Sequence, residues 1–226
     1  MGRKKQLSEG NLFGLRLAIA FLASVIPIVA FGGLARYVWQ GNVQPAEVRI
    51  LEALQSISTP LLTHFFHSIT ILGNTETVLI ILPLLGLLLI RLNMTRGFTH
   101  LVLVCAAGGG ALTMLLKDFF ERARPALGLL DAPGYSFPSG HSIISLCLFG
   151  SLAYLLVNAS ISSRQKRVGF VVCLLLVLGI GFSRMYLGVH YPTDVIAGYT
   201  AGGIWLTGCI LAYRRFIEQS ISNGKL

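Results

Sequence analysis

The chain has 226 residues, of which 54% are hydrophobic and only 12% charged, and its mean hydropathy is +0.73. That excludes a water-facing surface over most of the molecule, since soluble proteins carry about twice that charged fraction. A net charge of +9 raises nucleic acid as a partner, but the Lys and Arg residues are scattered over short connections rather than lined along one face, so no nucleic acid is expected.

The first apolar run, 12–34, follows Arg3, Lys4 and Lys5, which suit an anionic inner leaflet. It is longer than the apolar core of a cleaved signal peptide, about 7 to 15 residues, and reads as a retained first span. Residues 46–72 carry Ile50, Leu51, Leu54, Ile57 and Leu61 at helical spacing against Arg49, Glu52 and Gln55, with Pro60 dividing them. This pattern predicts an interfacial helical segment along the outer membrane surface. His64 and His67 within it have no acidic or cysteine partners nearby, so no metal is predicted there.

The run 77–92 is short and contains Pro83, and it needs extension back toward Leu72 to complete a crossing. Further runs at 97–116, 141–157, 168–183 and 195–213 suit a hydrocarbon core about 30 Å thick. The expected fold is therefore an all-α integral membrane protein with six transmembrane helices and an interfacial helical segment between the first and second spans. No repeat or long linker divides it, so residues 1–226 are expected to form a single domain. Cys105, Cys147, Cys173 and Cys209 lie inside predicted helices without C-x-x-C spacing and read as packing residues. Gly108, Gly109 and Gly110, and the pair Gly198 and Gly202, read as sites of close helix approach, because no strand precedes them as a phosphate loop would require.

The positive-inside rule orients the spans. With a cytoplasmic N-terminus, the inner segments hold Arg3, Lys4, Lys5, Arg91, Arg96, Arg164, Lys166, Arg167, Arg214, Arg215 and Lys225, and the outer segments hold Arg36, Arg49, Lys117, Arg122, Arg124 and Arg184. Both termini are then cytoplasmic. The Asn93 and Asn158 glycosylation triplets fall on the inner side and are expected to be unmodified.

Between residues 117 and 194, three polar clusters stand at span ends, all on the outer side: Lys117 with Arg124-Pro125, Pro138-Ser139-Gly140-His141, and Ser183-Arg184 with His190 and Asp194. Lys117, Arg124 and Arg184 are cations able to hold a phosphoryl group. His141 and His190 can divide nucleophilic and proton-transfer work, with Asp194 orienting one of them. Ser139 is placed to cap the following helix, Gly140 lets backbone come close to a ligand, and the helix N-terminus favours an anion. Pro192 fits the first position of the last helix, which leaves Asp194 in its first turn. Arg122 and Glu121 read as ordinary interfacial charges at a helix end.

The spacings K-x6-R-P, P-S-G-H and S-R-x5-H-x3-D, in that order, resemble the type 2 phosphatidic acid phosphatase family, which belongs to one superfamily with the vanadium haloperoxidases. The similarity in span number extends the resemblance over most of 72–213. It implies that His190 is a nucleophile forming a phosphohistidine, that Asp194 fixes its tautomer, and that His141 is the acid-base partner. It further implies that Lys117, Arg124, Ser139, Gly140 and Arg184 bind the phosphate, and that neither a metal nor a cofactor is needed. The implied substrate is a lipid phosphate or pyrophosphate at the outer face of a bacterial plasma membrane: phosphatidic acid, phosphatidylglycerol phosphate or undecaprenyl pyrophosphate. A vanadate-dependent haloperoxidase would share the motifs but not six spans. A transporter would place charge near the midplane rather than on one rim, and a non-catalytic lipid-phosphate binder could dispense with both histidines.

Overall fold

The structure, a computed structural model, describes residues 25–41, 45–91 and 96–222. Most of the predicted first span, the Arg3 to Lys5 anchor, the Asn93 triplet and Lys225 lie outside the described residues.

Among the described residues, eight helices run in order: α1 (Val25–Trp39), α2 (Pro45–Ser56), α3 (Pro60–Ile71), α4 (Thr75–Arg91), α5 (Arg96–Phe120), α6 (Gly140–Asn158), α7 (Ser163–Tyr186) and α8 (Pro192–Ser222). Local chemistry sets several of their ends. Thr59 caps α3 by accepting from the Leu62 amide, with Pro60 just inside the helix, where its missing N–H costs nothing. Ser162 and Gln165 form a reciprocal capping box at the start of α7.

Among the described residues, four helices, α5 to α8, are long and apolar enough to cross a bilayer. The pair α3 and α4 makes a fifth candidate if its 52° bend is counted as one broken span. Six spans were expected. The difference lies in the first two runs: most of the first falls outside the described residues, whose share of it is the shorter apolar helix α1, and α4 reaches full length only with α3. Nor does α3 simply lie along a surface. It packs against α7, with Phe66 against Phe182 and Tyr186 at ring-centroid distances of 5.4 and 4.5 Å.

Helix α6 packs against α5, α7 and α8 and is the most buried of the candidate spans. Its small residues Ser142, Ser145 and Ser151 are buried, and the Ser145 and Ser151 hydroxyls donate to carbonyls three residues back, so they cost little in an apolar interior. Outward faces remain apolar: Leu79, Leu84, Met114, Leu115, Val171 and Leu175 are all exposed, as suits a surface solvated by lipid. The four cysteines carry free thiols. Gly108 and Gly109 do serve close packing, since a Cβ on the first would strike the Trp205 ring and one on the second would sit 2.8 Å from Cys147 Sγ.

Candidate active site

The ends of α5 and α7 and the starts of α6 and α8 converge at one end of the bundle. Lys117 stands in the last turn of α5 and Arg184 in the last turn of α7. Ser139 caps α6, its Oγ accepting from the Ser142 amide at 3.4 Å, and α8 opens with Pro192 and carries Asp194 in its first turn. The Ser139 amide donates to the Asp194 carbonyl at 2.9 Å, which ties the P-S-G-H turn to α8. That leaves the Gly140 and His141 amides ahead of the α6 ladder, where helix donors lack partners of their own. Gly140 does more than admit a ligand. A Cβ on it would meet Thr113 Cγ2 at 2.7 Å, so the glycine also lets α6 sit against α5.

Arg124 joins the two connections. Its Nε donates to the Gly134 carbonyl at 3.0 Å and its Nη2 to the Pro133 carbonyl at 3.1 Å. Its Nη1 donates to the Val189 carbonyl at 2.8 Å and lies 3.2 Å from His190 Nε2. A guanidinium can only donate, so this contact requires a lone pair on Nε2 and places the ring proton on Nδ1. Nδ1 lies 3.4 Å from Asp194 Oδ2, close enough for electrostatic orientation though without hydrogen-bond alignment. His190 is 1% exposed. Burial pushes its pKa well below the usual 6.5, and Arg124, Arg184 and Lys117 push it the same way, so the ring is held neutral.

The turn carrying His190 is built by Gly188, whose φ of +69° suits glycine. A Cβ there would also strike the Leu127 carbonyl oxygen. The Leu129 amide donates to the Leu187 carbonyl at 2.9 Å, which locks the 121–139 loop against this turn. Arg184 is buried, its Nη1 donating to Thr70 Oγ1 at 2.9 Å. Its Nε is buried with no protein partner. An unpaired guanidinium donor beside two other cations suits an anion's oxygen. His141, partly buried, has its Nε2 2.7 Å from Asn74 Oδ1.

The structure thus brings together Lys117, Arg124, Ser139, Gly140, His141, Arg184, His190 and Asp194, and it corrects the reading of a ninth residue. Arg122 is not an interfacial anchor: it is 8% exposed and bridges two carboxylates, Nη1 donating to Asp194 Oδ1 at 2.6 Å and Nη2 to Glu47 Oε2 at 3.0 Å. Its Nη1 also reaches Thr193 Oγ1 at 2.8 Å, and its guanidinium lies 4.2 Å from the Tyr191 ring centroid. Asp194 accepts on its other oxygen from the Tyr191 amide at 2.8 Å. Glu121, the other residue read as interfacial, is exposed. Glu47, Thr70, Asn74 and Arg122 were not singled out as site residues in the sequence. Only Arg122 had a nearby signal, two residues before Arg124.

Comparison with known proteins adds an independent line. The model of the PAP2 superfamily matches residues 98–218. Phosphatidylglycerophosphatase B of Bacillus subtilis is 32% identical over 171 residues, covering 75% of this chain and 84% of its own. Lipid A 1-phosphatase of Rhizobium etli is 33% identical over 117 residues, 47% of this chain and 46% of that protein. Among solved structures, the transmembrane PAP2-type phosphatidylglycerolphosphate phosphatase from Bacillus subtilis superposes with a TM-score of 0.77 at 30% identity, covering 88% of this chain and 97% of that one.

Proposed function

The chain belongs to the PAP2 superfamily, and from that premise we infer that it is a multi-pass membrane lipid phosphatase acting through a phosphohistidine. Family membership and relatives that are lipid phosphatases support the activity; the arrangement around His190 supports the roles.

The observation that carries the mechanism is the Arg124 contact to His190 Nε2 at 3.2 Å. It leaves the Nε2 lone pair among the phosphate-binding cations and the Nδ1 proton toward Asp194. In the first step Nε2 attacks phosphorus, the bond to the lipid oxygen or leaving phosphate breaks, and His141 gives that oxygen a proton. His190 becomes a phosphorylated imidazolium, which Asp194 stabilises. In the second step His141 takes a proton from water, the hydroxide oxygen bonds to phosphorus, and the P–N bond breaks to return neutral His190 and free phosphate. Lys117, Arg124, Arg184, the Ser139 hydroxyl and the α6 N-terminal amides hold the phosphoryl oxygens as charge develops. The substrate is a lipid phosphate or pyrophosphate whose tail stays in the bilayer while its head enters the rim from the outer face.

The test is phosphate release by the purified protein from phosphatidic acid, phosphatidylglycerol phosphate and undecaprenyl pyrophosphate in detergent. The wild type is expected to turn over at least one of them, with phosphatidylglycerol phosphate first in the panel because of the Bacillus relatives. His190→Ala is expected to abolish turnover and the acid-labile phosphoprotein trapped by rapid quenching. Substantial steady-state turnover by that variant would remove His190 from the role of nucleophile.

A further inference from the structure

We propose that Asn74 is the positioning residue for His141, fixing the ring so that Nε2 carries a proton and Nδ1 is the nitrogen that exchanges protons with the leaving group and the water. This deepens the proposed function and rests on its assignment of His141 as the acid-base group.

The geometry is specific. Asn74 occupies the break between α3 and α4, immediately before Thr75, a place where an Asn side chain ordinarily caps its own helix. Here its Oδ1 lies 2.7 Å from His141 Nε2, across 67 residues of sequence. An amide oxygen only accepts, so Nε2 must donate and the working lone pair falls to Nδ1. The surroundings favour that orientation of the amide. The charged and titratable groups facing His141 are Arg184 from α7, His190 and Arg124 from the two connections, and Lys117 from α5. A ring encircled by three cations has donors in excess, and the Asn74 oxygen supplies the acceptor they cannot.

The backbone at the break is shaped for this approach. A Cβ on Gly73 would lie 3.0 Å from His141 Cδ2 and 2.8 Å from Ile180 Cγ2, so the chain passes directly against the imidazole and an added methyl would press on it. Four residues before Asn74, Thr70 Oγ1 accepts from Arg184 Nη1 at 2.9 Å, so the same short stretch reaches two groups of the site. Both Thr70 and Asn74 precede the 98–218 segment matched to the superfamily. The hydrogen-bond partner of the acid-base group therefore comes from the α3–α4 break, outside that segment.

The experiment compares wild type, Asn74→Leu, Asn74→Asp and His141→Ala, each purified in detergent, on phosphatidic acid and on p-nitrophenyl phosphate. Asn74→Leu is expected to lower kcat on the lipid by roughly 10- to 100-fold with KM little changed, less than the roughly 10²- to 10⁴-fold attributed to a general acid-base group itself. The first-turnover release of nitrophenol should fall by less than lipid turnover, because a good leaving group needs no proton. Asn74→Asp keeps an acceptor oxygen and is expected to recover much of the lipid turnover. Its carboxylate favours the imidazolium, so the alkaline limb of the pH profile, where His141 loses its proton, should move to higher pH. A merely structural role would move thermal stability and leave the limb in place.

Wild-type lipid turnover by Asn74→Leu, in a series where His141→Ala is impaired, would overturn the proposal, as would an Asn74→Asp protein that folds but shows no displaced limb. If His141→Ala turns over lipid as the wild type does, the assignment of His141 itself fails, and this inference fails with it.

Discussion

The attack on phosphorus proposed for His190 needs a neutral ring, and two features keep it so. Burial comes first, and the facing cations Arg124, Arg184 and Lys117 come second. Both disfavour the imidazolium, so its folded pKa lies below the usual 6.5 and activity should persist as the pH falls through that value, declining only when the ring takes a proton. Removing a cation relaxes the depression. Lys117→Gln is therefore expected to lower kcat/KM at neutral pH and to shift the acid limb upward relative to wild type. The substrate's own second ionisation, near pH 6, is common to both proteins, so the difference between the two profiles reads the enzyme. A lowered rate with an unmoved limb would mean that Lys117 holds phosphate without influencing the nucleophile. Arg122 acts at the same scale but through structure. It links Glu47 and Asp194, both nearly fully buried, and a buried carboxylate left without its cation costs about 3 to 5 kcal/mol.

The helix ends that make the site were legible where the chemistry is local. Ser139 capping α6, Pro192 opening α8 and Asp194 in its first turn each follow from a few adjacent residues. What was not legible runs between elements. The partners of Arg122, Arg184 and His141 lie 75, 114 and 67 residues away, and no periodicity encodes such pairings. Arg122 and Arg124 sit two apart in the same loop, yet one turns to Glu47 and the other to His190. The G-x-x-x-G pair in α8 was read as close packing, and Gly198 shows how that packing serves the site: a Cβ there would lie 2.7 Å from the Ser139 carbonyl oxygen and 2.7 Å from Ser142 Cβ. Gly198→Ala should push α8 from the P-S-G-H turn and lower kcat by about 10-fold or more, given how sharply rate falls with misplacement near 1 Å. Gly110, the member of the α5 triplet with open space around its Cβ position, is the control. Gly110→Ala is expected to retain activity and to hold or raise thermal stability, since alanine is the better helix former. Equal losses from both substitutions would show that α5 and α8 respond to any added methyl, not to the contact at Ser139.

At the scale of the whole molecule, the alternation of helices forces the site to one membrane face. Helices α5 and α7 end at it and α6 and α8 begin at it, so the 158–163 connection and the start of α5 stand at the opposite end of the bundle. The charges support the proposed direction of that axis. Arg91, Arg96, Arg164, Lys166, Arg167, Arg214 and Arg215 all belong to the end away from the site, and an excess of Lys and Arg marks the cytoplasmic side. Of the cations at the site end, Lys117, Arg122, Arg124 and Arg184 are committed to the site or its buried supports, so they carry little topological weight. With that proposed orientation, phosphate would be released outside the cell, as suits a pathway that recycles outer-leaflet lipids rather than one that completes synthesis on the inner leaflet. Single cysteines at Asp131 and Ser160, both exposed, distinguish the two in a background with the four native cysteines replaced and phosphatase activity retained. With intact cells, Asp131→Cys is expected to react with a membrane-impermeant maleimide and Ser160→Cys only after permeabilisation. The reverse labelling pattern would turn the site toward the cytoplasm, and the arginines now read as topological anchors would need another explanation.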